Sequence, residues 1–127
     1  MHRPSEGETH TFARTFTTDE VETFAELSRD RQDQHTVPDD EGRLLVHGLL
    51  TATLPTKIGA DLEILATEVE FQFVRPVYTG QRIACTCTVG SVTEREDRYH
   101  LTVDVVCEND NEEVVLRGTI EGLIWKG

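Results

Sequence analysis

The sequence predicts an α+β architecture in which one apolar helix lies against one antiparallel sheet. Three observations predict it. Leu50, Leu54 and Ile58 recur every four residues within the apolar stretch Leu44 to Ala60, the period of a buried helix. From Ala66 onward the period switches to two and stays there through four separate segments. At 127 residues the chain fits one domain with one core, spanning 1–127, with residues 1–8 expected to fray.

The elements follow in order. Thr9-His-Thr-Phe-Ala-Arg-Thr-Phe16 is rich in β-formers and reads as a first short strand. Thr17 and Glu20 have the spacing of a capping box, and Val21, Phe24, Ala25 and Leu27/Ser28 then fall at helical spacing. This helix ends near Ser28, and residues 29–43 form a polar loop carrying Pro38 and Gly42. In the long apolar segment, Pro55 removes a backbone donor and crowds the preceding turn, so a kink or break is expected there.

The later segments alternate. Val69, Phe71 and Phe73 are interleaved with Glu68, Glu70 and Gln72, with Pro76 closing the strand. Ile83, Cys85, Cys87 and Val89 share a face, as do Tyr99, Leu101, Val103, Val105 and Cys107. Val114, Leu116, Ile120 and Ile124 share one face of the last strand, where Gly118 and Gly122 signal bulges or close contacts. Thr79-Gly80 and Asn109-Asp-Asn111 are turns, so the four strands read as a meander.

Composition narrows the function. With 24 acidic residues against 12 basic ones the net charge is −12, which argues against nucleic-acid binding because phosphate contacts need positive charge. The acids are dispersed rather than gathered in a tail, and the sharper reading is adaptation to high salt, where screening makes self-repulsion tolerable. Unfolding on transfer to low salt is the test of that reading. Cys85, Cys87 and Cys107 are odd in number and lie in strands, as expected of reduced, packed thiols in a cytoplasm rather than a metal site. No apolar run approaches a membrane span, and the polar start is no signal peptide. An apolar content of 37% is low for a monomer of this size, and the sheet's edges need cover; both favour a homodimer.

The chemistry-bearing stretch is Ser28-Arg-Asp-Arg-Gln-Asp-Gln-His35, followed by Val46-His-Gly-Leu-Leu50. Asp30 and His35 are suited to holding and deprotonating a water, and the amide of Gly48 at the start of a helix to receiving charge on a carbonyl oxygen. Together they point to chemistry on an activated acyl group. Read without further context, an aspartate after a helix is more often a cap or a solvated charge, and a serine at a helix end, as Ser28 is, often merely satisfies backbone groups.

These residues resemble a known family. Phe16-Thr-Thr-Asp-Glu-Val21, Phe24-Ala-Glu-Leu-Ser-Arg-Asp30 and His35 are similar to the helix start and aspartate–histidine loop of the MaoC-like dehydratases, which include the (R)-specific enoyl-CoA hydratases. Val46-His-Gly-Leu49 is similar to that family's Ala-His-Gly-Met, and Phe73-Val-Arg-Pro-Val-Tyr-Thr-Gly-Gln81 to its Phe-x-x-Pro-Val-x-x-Gly-Asp. The likeness runs in order from about Phe12 to the C-terminus. It implies a hot-dog fold, an antiparallel sheet wrapped around a central helix. It also implies addition of water to a trans-2-enoyl-CoA, giving a 3-hydroxyacyl-CoA, or the reverse. Asp30 and His35 would activate the water and Gly48 would hold the thioester oxygen, with no cofactor and no metal. Gln32, His47 and Arg75 are the substrate-binding candidates.

The departures are specific. Arg29 stands where the family has glycine, Gln32 where it has asparagine and Asp33 where it has proline, and the loop from His35 to His47 is shorter than the family's. Two other readings stay open: an acyl-CoA thioesterase on the same fold, and a noncatalytic acyl-CoA-binding module, which Arg29 and Asp33 favour. A thioesterase would draw a carboxylate from the central helix, and Leu44 to Ala60 contains none. His47 is equally suited to positioning the loop and to a structural hydrogen bond. His10 and His100 read as surface or packing residues. Arg75, Arg82 and Arg117, in or beside the strands, are candidates for holding the phosphates of CoA and are equally suited to pairing with surface acids.

Overall fold

The computed structural model describes residues 2–127, so Met1, the first residue of the stretch expected to fray, lies outside the described residues. In chain order the elements are β1 (Thr9–Thr15), α1 (Thr18–Ser28), α2 (Asp33–Thr36), α3 (Gly48–Thr51), α4 (Thr53–Asp61), β2 (Leu65–Phe73), β3 (Arg82–Glu94), β4 (Arg98–Glu108) and β5 (Val114–Trp125). Ahead of β1, the backbones of Gly7 and Glu8 exchange hydrogen bonds with Val89 of β3.

The start of α1 is the capping box read from the sequence. Glu20 N–H donates to Thr17 Oγ1 at 3.2 Å, and Thr17 N–H donates to Glu20 Oε1 at 2.9 Å. Val21 and Ala25 face the core, whereas Leu27 is 81% exposed and takes no part in it.

The long apolar segment departs from the expected kinked helix in two ways. Residues 44–47 are not helical; Leu45 bridges Tyr78 and Val46 N–H donates to Val77 O. The helix starts at Gly48, and its interruption falls at Ala52 rather than at Pro55. The proline is still the physical reason. It has no N–H for the carbonyl one turn back and its ring crowds that turn, so the break lies just before it and Pro55 sits in the first turn of α4.

All five strands form one antiparallel sheet in the order β1-β3-β4-β5-β2. The expected four-strand meander is therefore correct only for β3, β4 and β5. Pro76 ends the extended chain after β2, and residues 77–79 bond back to 44–46 instead of closing a hairpin. β2 consequently pairs with β5 at one edge and β1 with β3 at the other. The core-facing residues of β3 and β4 are the alternating sets read from the sequence. They pack with Phe16, Val21, Leu54, Ile58, Leu116 and Ile124 into one cluster.

Edge strand β2 is less buried than its alternation suggested. Phe71 is partly buried, but Val69 and Phe73 are 54% and 53% exposed. Both glycines of β5 mark close backbone approaches. A Cβ on Gly118 would overlap the carbonyl oxygen of Glu70, and one on Gly122 would lie 2.7 Å from that of Leu65.

The three cysteines are buried and unbridged, with Cys85 and Cys87 Sγ 4.0 Å apart. A hydrogen bond with Cys107, and then burial, pushes the Cys85 thiol up to about 12. The hydrogen bond with Cys85, and burial, likewise raise Cys87. Thiols held in the protonated form are poor nucleophiles and poor metal ligands, in keeping with packing.

Candidate active site

The site is built where α1 ends. Its C-cap, Arg29, has a φ of 64°, the left-handed conformation that glycine adopts freely and other residues adopt at a cost of about 1–2 kcal/mol. The turn reverses the chain and lets Asp30 N–H donate to Ser28 Oγ at 3.1 Å. The requirement for glycine at this position in the family pattern is thus a backbone requirement, and arginine meets it under strain. Arg29→Gly is expected to stabilise the chain by about 0.5–1 kcal/mol, the relief of strain less the added freedom of the unfolded chain, measured by urea unfolding.

Gln32 fixes the aspartate. Its Nε2 donates to Asp30 Oδ1 at 2.9 Å, and its backbone N–H points to the same oxygen at 3.4 Å. The Gln32 side-chain amide, helped by its backbone N–H and the charge of the nearby imidazoles, holds the Asp30 carboxyl below its usual range against a smaller opposing effect of burial. A depressed carboxylate adds stability that is present above its unfolded pKa and is lost as pH falls through the lower folded value. Gln32→Leu is therefore expected to move the Asp30 titration toward ordinary aspartate and to shift that loss to higher pH. Carboxyl-carbon NMR of the labelled protein follows both.

The short helix α2 carries His35, which is 5% exposed. Its Nδ1 lies 2.6 Å from the carbonyl oxygen of Leu45. A carbonyl only accepts, so Nδ1 carries the proton and, in the neutral ring, Nε2 presents a lone pair. Nε2 faces Asp30 Oδ2 at 3.7 Å, beyond a good direct hydrogen bond but within joint reach of one water.

His47 lies against this pair. Its ring stacks on His35 with centroids 3.6 Å apart, and Phe24 meets its other side edge-on at 4.9 Å. His47 Nε2 donates to the backbone oxygen of Asp30 at 2.9 Å, tying the aspartate loop to the start of α3. His47 Nδ1 is buried without a hydrogen-bond partner. Gly48 follows as the first residue of α3, where a backbone amide has no carbonyl one turn back to bond. A Cβ at Gly48 would lie 2.8 Å from the Phe73 ring, so a larger residue here would have to turn that half-exposed side chain aside.

Asp30, His35, His47, Gly48 and Arg75 border one cavity of about 520 Å³. Gln32 does not border it and touches the site through Asp30. Arg75 is anchored to the Val114 carbonyl at 2.7 Å, with Glu113 3.5 Å from its Nε. Arg117 instead donates to Gln72 Oε1, and neither it nor Arg82 lines this cavity. Sequence reasoning did not single out Phe24, Thr51, Phe73 or Val115 as wall residues, nor the Leu45 carbonyl that sets the histidine tautomer. A mainly apolar cavity of about 300 Å³ lies beside the first, between α4 and the sheet, and Leu49 borders both.

No protein-family model and no curated protein sequence matches the chain. Solved structures do. An (R)-hydratase from A. caviae involved in PHA biosynthesis is similar over 95% of this chain and 96% of its own, at 22% identity and a TM-score of 0.83. A MaoC-like dehydratase from Rhodospirillum rubrum is similar over 98% and 94%, at 20% identity and a TM-score of 0.78. A C-terminally truncated 3R-hydroxyacyl-ACP dehydratase complex from Mycobacterium tuberculosis contains a chain similar over 97% and 99%, at 16% identity and a TM-score of 0.72. The chain thus has the α+β hot-dog fold of the MaoC-like dehydratases and (R)-hydratases, the family its motifs resemble.

Proposed function

We propose that this chain adds water across the double bond of a trans-2-enoyl-CoA to give a 3-hydroxyacyl-CoA, or catalyses the reverse dehydration. The observation that carries this reading is the His35 tautomer: with Nδ1–H committed to Leu45, the lone pair of Nε2 and the Asp30 carboxylate face the same small space. A water held there loses a proton to the pair as its oxygen bonds to C3. The π electrons move toward the thioester oxygen, where the Gly48 amide meets the developing charge. The enolate then takes a proton at C2 from the protonated pair. Atoms and charge balance without an oxidant or a metal.

The second cavity supports the acyl part of the reading. An alkyl chain whose thioester lies at Gly48 has an apolar path past Leu49 into the space lined by Ile64, Phe71, Val103 and Ile120. Arg75 places a cation at the first cavity for the phosphates of the carrier. His47 supports the site from beneath, orienting both the aspartate loop and the His35 ring.

The reading includes a homodimer, which the uncovered edge supports. Leu65, Val69 and Phe73 of β2 and Leu49 of α3 are all more than half exposed; Leu49 borders both cavities, Phe73 the first and Val69 the second. A second copy covering this edge would bury them and wall the acyl path. Buried, unbridged thiols fit a reducing compartment such as the cytoplasm, and among the described residues no helix is long and apolar enough to cross a membrane.

The thioesterase reading has less to stand on, because Asp30 is the one carboxylate among the cavity's lining residues and α4 offers only Asp61, which pairs with Lys57. The test is purified protein with crotonyl-CoA in high-salt buffer. Loss of the conjugated enoyl absorbance without release of CoA thiol supports hydration. Thiol release supports the thioesterase, and binding without either supports a noncatalytic module.

A further inference from the structure

A second cluster of metal-ligating side chains lies at the start of the chain. His2 Nε2 and His10 Nε2 both point at one carboxylate oxygen, Glu8 Oε2, at 3.0 and 2.6 Å. The three donor atoms lie within 4.8 Å of one another, and the two rings meet edge to face with centroids 5.9 Å apart. None of the three lines the cavity of the candidate active site.

The backbone makes this arrangement hard to avoid. Glu8 and His10 are two apart at the entry to β1, so their side chains leave the same face of the extended chain. That stretch is fixed to β3, by Gly7 N–H on Val89 O at 2.8 Å, Val89 N–H on Glu8 O at 2.9 Å, and pairing of His10 with Cys87. The carboxylate is oriented through its other oxygen, which accepts the Ser5 N–H at 2.5 Å. Only His2 must be brought in, by the turn through Ser5.

We propose that His2, Glu8 and His10 form a site for one divalent transition-metal ion of the zinc class, bound through two imidazole nitrogens and one carboxylate. This donor set suits zinc, nickel or copper(II) rather than magnesium or calcium, which prefer oxygen. Bonds near 2 Å in a tetrahedral arrangement separate the ligand atoms by about 3.3 Å, so each ring nitrogen need draw back from the Glu8 oxygen by less than about 1 Å. All three side chains are between a fifth and a third exposed, so the cluster is open to ions from solvent. The net charge of −12 raises the local concentration of cations. The ion would clamp residues 2–8 onto the β1–β3 edge, and the sequence signal is His-x5-Glu-x-His.

The test is calorimetric titration of the full chain, without a histidine tag, with zinc chloride near neutral pH in chelator-free buffer. One equivalent is expected to bind, weakened at least about tenfold in His10→Ala and in Glu8→Gln and unchanged in Asp30→Asn. With cobalt(II) in place of zinc, the visible absorption of low-coordinate cobalt should appear in the parent and be lost in the same two variants. Glu8→Gln preserves size and shape, so it reports on the site if His10→Ala folds poorly. Absence of saturable binding overturns the proposal. So does binding that survives Glu8→Gln, or that falls in Asp30→Asn and so belongs to Asp30, His35 and His47.

Discussion

Asp30→Asn and His35→Ala are each expected to lower the turnover of crotonyl-CoA by about 10²–10⁴-fold, the range for loss of a positioned acid–base group. The two changes should fall mainly on kcat, because neither side chain supplies much binding surface. They should differ in stability. Asp30 is partly exposed, and Asn keeps its size and its ability to accept from Gln32. His35 is buried and donates to the Leu45 carbonyl, so its removal leaves that oxygen unpaired and costs about 1–3 kcal/mol in addition. The double variant should be little worse than the worse single one, since both groups act on one water. Retention of activity in Asp30→Asn would leave His35 acting alone and remove the pair from the mechanism.

The largest effect on stability is expected at Gly118. The β carbon of an alanine there would overlap the Glu70 carbonyl oxygen and lie 2.7 Å from Phe71 Cδ1. Backbone cannot swing aside as a flexible side chain can, so β2 must move off β5 along a pairing that runs from Leu65 to Phe73. Gly118→Ala is therefore expected to cost about 3–5 kcal/mol by urea unfolding. Gly59→Ala is the control: a Cβ there meets nothing within 4 Å, and α4 gains helix propensity. The change at Gly118 also bears on the site, because β2 carries Phe73, which packs on Gly48.

How much of this was legible in the sequence depends on the range of the interaction. Local patterns were legible: the Thr17–Glu20 capping box, and the alternation that put Ile83, Cys85, Cys87 and Val89 on the inner face. Pro55 announced a break, though not that it would fall at Ala52. Strand order was not legible, because alternation shows which face of β2 is apolar but not which neighbour accepts its hydrogen bonds. The exposure of Val69 and Phe73 follows from that edge position. At the site, ordered motifs pointed to Asp30, His35 and Gly48, which border one cavity. The orienting groups were hidden: a carbonyl ten residues from His35, and the stacking of His47 on its ring. Arg29 looked like an obstacle and is a strained helix cap. The cluster of His2, Glu8 and His10 was passed over because only the folded arm brings His2 to the strand.

The point of attack of water is the central claim, and oxygen-18 water tests it directly. Crotonyl-CoA turned over in labelled water is expected to yield 3-hydroxybutyryl-CoA with one heavy oxygen in the hydroxyl at C3 and the thioester intact. Heavy oxygen in a free carboxylate, with CoA released, would contradict it and place the attack at the carbonyl carbon.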